Sequence, residues 1–210
     1  MVYGYYDRLS AKNKAIYRAS DRVSEIAVPH PARVVPLTRA LRQALESEDR
    51  RRVQRATRDL TAELLDQLRV PALDVRVLAV RPRGRDGELH GLYTAEEGAP
   101  ARIQVWMRTA QNARVVAFRT YLRTLLHEVA HHLDYRLLKL GDSYHTEGFF
   151  RRESSLFRQI VDPGELRPAR RTPAPSPRRE RPAPADRPAK APPPEERQTR
   201  FDFGSDDDKR

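Results

Sequence analysis

The chain has 210 residues, no cysteine and a formal net charge of +11. Without cysteine there is no disulfide scaffold, no Cys-type zinc ribbon, no iron–sulfur centre and no thiol nucleophile. A hydrophobic share of 39% against 33% charged residues points to a folded part joined to a solvated part.

No apolar run reaches the roughly 18 residues that a membrane crossing needs. The opening MVYGYYDRLSAKNK is too polar for a signal peptide, so the cytoplasm is the expected location. Ser10 to about Ala27 has helical periodicity, with Ala15, Ile16, Ala19, Val23 and Ile26 on one face. Pro29, Pro31 and Pro36 predict an irregular link. Leu37 to Leu68 carries apolar residues at largely helical spacing, with Arg50-Arg51-Arg52 on its solvent side or at a break, and Val70-Pro71 ends it.

The period then changes. Leu73–Arg81, Leu89–Thr94 and Ile103–Met107 read as three short strands of a small antiparallel meander. Val115 to Leu140 is the strongest helical segment, with Gly141 as its expected stop. A last helix is expected from about Thr146 to Val161. The fold class is therefore α+β: N-terminal helices over 1–69, then a core over 70–161. Residues 162–210 hold 11 of the 17 prolines and two aromatics, and read as a disordered tail. The tail has 12 Lys and Arg against 10 Asp and Glu, net +2, which leaves +9 of the +11 on residues 1–161. The folded part carries most of the basic character, and that permits a polyanionic partner such as DNA.

The long helix contains His127-Glu128-Val129-Ala130-His131. Side chains four apart share a helix face, so two imidazoles can reach one cation while Glu128 faces a water on it. A catalytic zinc takes three protein ligands and keeps one position open, so a third ligand is expected downstream. His145, past the Gly141 stop, is the choice; Glu147, Asp142 and Glu153 are alternatives, with Glu153 the best placed of them. The metzincin spacing is absent, because Leu137 stands six residues after His131.

Other polar residues have lesser expected roles. His132 lies about 100° round the helix from His131 and reads as support. His90 and Tyr144 are candidate helpers to a developing oxyanion. Asp134 has the spacing to orient an imidazole. His30, between two prolines, reads as loop. The strand Arg102–Met107 is a candidate edge for pairing with an extended peptide.

The stretch from Leu125 to Phe157 resembles the SprT-like zinc metallopeptidases, which include the Spartan DNA–protein crosslink proteases. HEVAHHLD at 127–134 and HTEGFF at 145–150 carry the resemblance, and GLYT…ARIQVW at 91–106 is similar to the strands that precede the metal helix. It spans about residues 70–160. It implies a minimal zincin fold, zinc ligands His127, His131 and His145, and Glu128 as catalytic base. Two features depart from the family pattern: Thr146 rather than glycine follows His145, and the Cys-rich ribbon of many bacterial members is absent.

The expected activity is that of a zinc-dependent endopeptidase acting on protein or peptide substrates, including proteins on DNA. Arg50, Arg51, Arg52, Arg55 and Arg58 are candidate phosphate contacts. A protease that cuts a single repressor and a metal-stabilised adaptor are the alternatives. In the tail, Gln198, Phe201 and Phe203 resemble a bacterial sliding-clamp-binding peptide. No Gly-rich phosphate loop and no G-x-S-x-G elbow is present, which argues against phosphoryl transfer and serine hydrolysis.

Overall fold

The computed structural model describes residues 4–84, 87–96 and 98–162. The tail from 163 onward, with the clamp-like peptide, lies outside the described residues. Among the described residues the architecture is α+β: five α-helices and a small three-stranded mixed sheet, with a minor two-stranded ribbon.

The first helix, α1 (Ala11–Asp21), starts where Ser10 accepts a hydrogen bond from the Asn13 amide. It stops well before Ala27, and Ile26 and Val28 reach the core from irregular chain instead. The expected proline link is shorter than predicted, because α2 (Pro31–Glu46) begins at Pro31. Pro31 lies in the first turn, where no amide donor is needed. Pro36 costs one intrahelical bond, and burial of Val34, Leu41, Ala44 and Leu45 holds the helix across it.

The Leu37–Leu68 segment is two helices. Glu48 turns left-handed (φ 53°) and Asp49 caps α3 (Arg50–Gln67) by accepting from the Arg51 and Arg52 amides. An antiparallel pair of helices thus forms at a break that the basic run follows. Val53, Leu60, Leu64 and Leu65 are the buried stripe of α3.

The sheet departs from the expected meander. Strands β1 (Asp74–Val80), β2 (Arg83–Gly84), β3 (Gly87–Glu88), β4 (Gly91–Thr94) and β5 (Arg102–Arg108) follow in order. The main sheet runs β1-β5-β4, with β5 parallel to β1 and antiparallel to β4, and β2 pairs with β3. The reason is burial. Ile103, Val105, Trp106 and Met107 of β5 are all buried, whereas β4 is short and leaves Leu92 exposed. The most apolar strand takes the centre and the short one the edge. The candidate peptide-pairing strand Arg102–Met107 is therefore central, and β4 is the edge strand on that side.

The opposite edge, β1, is closed by α3. The Gln54 side-chain amide donates to the Val75 carbonyl and accepts from the Val77 N–H, both at 2.7 Å, as a neighbouring peptide unit would. Arg50 donates to the Val77 carbonyl and Arg58 to that of Val75. Gln54→Ala strands the Val77 N–H beside buried Val75 and Val77, and leaves the Val75 carbonyl with Arg58 alone. We expect a loss of about 1–3 kcal/mol and a melting temperature lower by about 5 °C. A thermal melt that shifts by less than about 1 °C would remove this assignment.

Helix α4 (Phe118–Arg136) is shorter than predicted at both ends. It ends at Leu137, and the chain reverses through Lys139 (φ 55°), where the Leu140 amide bonds back to the Asp134 carbonyl. Gly141 is not the left-handed stop. Its lack of a Cβ instead lets α1 approach, since a Cβ there would stand 3.3 Å from Ile16. Helix α5 (Glu147–Ile160) is capped by Thr146, whose hydroxyl accepts from the Phe149 amide. Gly148 presses on the end of α1: a Cβ would meet the Asp21 carbonyl oxygen at 2.4 Å. Among the described residues no helix is long and apolar enough to cross a membrane.

Candidate metal centre

Three elements bring the candidate residues together. His127, Glu128 and His131 lie on α4, His145 on the loop that the Lys139 reversal turns back, and Phe149 and Glu153 on α5. His127 Nε2 is 2.9 Å from His145 Nε2, and His145 Nε2 is 3.2 Å from His131 Nε2. The three half-buried imidazoles form a group that could hold a metal ion. Phe149, fully buried, packs against all three rings at centroid distances of 4.8–5.1 Å and makes an apolar floor.

The donors behind the rings decide the tautomers. His127 Nδ1 faces Glu153 Oε2 at 3.1 Å, and His131 Nδ1 faces the Ser143 hydroxyl at 2.7 Å. A carboxylate can only accept, so the proton of neutral His127 sits on Nδ1 and the Nε2 lone pair points at its neighbours. Ser143 donates to Asp134 Oδ2 at 2.8 Å and is left to accept from His131 Nδ1. Burial pushes His131 down to about 3 and His145 down to about 4, with the nearby His127 acting in the same sense. Neutral imidazoles with converging lone pairs repel unless a cation lies between them. Tetrahedral ligands at about 2.0–2.1 Å from zinc stand about 3.3 Å apart, close to the spacings seen. The donor set therefore fits a small metal cation that takes imidazole ligands.

Glu128 stands outside the ligand group. It is 6% exposed and lies against β4, where a Cβ on Gly91 would fall 2.3 Å from its Oε1. Only glycine leaves room for that carboxylate. Burial pushes Glu128 up to about 7, against the pull of His127 and of a hydrogen bond from the Tyr93 amide, while Glu153 adds to the rise. Beside it opens a cleft of about 400 Å³ lined by Leu89, His90, Arg123, Thr124, His127 and Glu153.

The alternative ligands are placed elsewhere. Glu153 stands behind His127, with Arg123 at 3.7 Å on its other oxygen. Asp142 accepts from the Ser143 amide, and Glu147 pairs with Arg151. His90 lines the cleft. Tyr144 does not: its ring lies near Tyr5 and Tyr17, and its hydroxyl is held by Asp142. His132 is buried support: Nε2 donates to the Pro71 carbonyl (2.8 Å), which leaves Nδ1 to accept from the Tyr93 hydroxyl (3.2 Å). Asp134 reaches His131 only through Ser143. Spacing alone does not mark Gly91, Ser143, Phe149 or Arg152 as site residues. The chain matches no family model, no curated protein and no solved structure.

Proposed function

We propose that this chain is a zinc-dependent endopeptidase of the SprT-like type, with His127, His131 and His145 as ligands and Glu128 as general base. The observation that carries the reading is the convergence of three Nε2 atoms beside a buried carboxylate at the wall of an open cleft. Zinc bound there would lower the pKa of a water and polarise a peptide carbonyl. Glu128 takes the proton from the attacking water and delivers it to the leaving amine. A carboxyl raised by burial is suited to both halves of that task. A cation among the imidazoles pulls it back toward the ionised form that must act first.

Edge strand β4 beside the metal helix supports a minimal zincin architecture and gives an extended substrate a place to pair. Proteins on DNA remain the proposed substrates. The phosphate-contacting set narrows to exposed Arg51, Arg52 and Arg55, since Arg50 and Arg58 bond the β1 carbonyls. Such contacts weaken steeply with salt.

The test is metal content per chain, by elemental mass spectrometry, on protein purified without added metal. Wild type should carry about one zinc and His145→Ala should lose most of it. Metal-free wild type that takes up no zinc on addition would overturn the peptidase reading and the metal-stabilised adaptor together.

A further inference from the structure

A buried polar chain runs from the candidate ligand His131 away from the cleft. His131 Nδ1 meets the Ser143 hydroxyl, which donates to Asp134 Oδ2. Asp134 Oδ1 accepts from Arg152 at 2.7 Å, and neither side chain has any exposed surface. The same guanidinium donates to the Ser20 carbonyl at 2.6 Å, the Ser20 hydroxyl at 3.0 Å and the Val23 carbonyl. These last acceptors belong to the end of α1 and the turn after it. One continuous path therefore joins the N-terminal helix to a ring of the metal group.

The direction of each bond follows from chemistry. Arginine only donates and stays charged. Asp134 therefore accepts on Oδ1 from Arg152 and on Oδ2 from Ser143. The Ser143 proton is committed to Asp134, so its oxygen can only accept from the imidazole. That places the proton of His131 on Nδ1 and leaves Nε2 bare toward His145.

We infer that Ser143, held by the Asp134–Arg152 pair, is a positioning residue that fixes the tautomer and ring orientation of His131 for metal binding. The inference rests on the metal reading of the three imidazoles. It adds a role for α1: the helix anchors Arg152, and through it the relay, which makes residues outside the HExxH region part of the site. Loop Leu140–Ser143 is held to α4 by the same aspartate, through both its carbonyl and its carboxylate.

Long-range ¹⁵N–¹H correlation spectra of metal-free protein, at a pH where the ring is neutral, read the tautomer directly. Wild type should show His131 as the Nδ1–H form. Ser143→Ala should give a mixed or Nε2–H signature and a 10–100-fold weaker zinc affinity by chelator competition. Ser143→Thr, which keeps the hydroxyl, should restore both. An Ala variant with unchanged tautomer and affinity would overturn the relay while leaving the three-histidine metal reading standing. A wild type that shows the Nδ1–H form yet binds no zinc would overturn the metal reading, and the positioning role with it.

Discussion

Glu128→Gln is expected to keep its metal and lose about 10²–10⁴-fold in peptidase turnover. The substitution is nearly isosteric, and the space for it is set by Gly91, whose missing Cβ admits the side chain. An amide oxygen can still accept from the Tyr93 amide, so the group should stay in place. The three Nε2 donors are untouched, since Glu128 does not belong to the ligand group. What disappears is the capacity to take a proton from water and return it to an amine. Metal content and melting temperature should stay at wild-type values while cleavage of a protein substrate collapses. Turnover within tenfold of wild type would sink Glu128 as the base. Intact cellular function without turnover would instead favour the adaptor.

Parts of this site were legible because they are local. The i, i+4 spacing of His127 and His131 needs only a helix, and the apolar stripe of α4 supplies one. His145 could be chosen because a third donor must follow a reversal, although Lys139 rather than Gly141 makes the turn. Helix ends are less legible, because proline and glycine signal a stop only through local preference. Pro36 and Gly141 both lie where tertiary packing outweighs local preference. Sheet order was not legible at all from nearest-neighbour reasoning. The meander would place β4 in the centre, yet the buried length of β5 claims that place, and that is a long-range competition. Glu153 was in view as an oxygen ligand, but its actual use, accepting from His127 Nδ1, depends on the angle at which α5 crosses α4.

Arg152 had a signal that could have been used. The buried face of α5 reads Phe149, Arg152, Glu153, Leu156, Phe157, Ile160, so a guanidinium occupies a core position. Arginine is almost never fully buried unless it is paired, and that alone asks for a buried acid. Asp134, on the buried side of α4, is the answer. The hydroxyl that links the pair to His131 leaves no trace in periodicity, because Ser143 lies in a loop whose path is set by the Leu140–Asp134 bond.

Arg152→Met should destabilise the fold by about 3–5 kcal/mol, because it leaves the Asp134 carboxylate buried without its counter-charge and removes the donors to the Ser20 and Val23 carbonyls. Methionine fills much of the volume, so packing loss is a minor share. Burial already pushes the Asp134 carboxyl above its ordinary value, with the Arg152 charge and the Ser143 hydrogen bond opposing that rise. Without arginine the acid must either stay charged at high cost or take up a proton. At about 2–4 °C per kcal/mol for a domain of this size, the melting temperature should fall by about 10 °C. Asp134→Asn in the same background removes the orphan charge and should recover part of the loss, whereas Asp134→Asn alone strands the guanidinium instead. The two changes should therefore be strongly non-additive in a double-mutant cycle. A melting temperature for Arg152→Met within about 2 °C of wild type, or additive losses in the cycle, would show that the pair is not the buried tie between α1, α4 and α5.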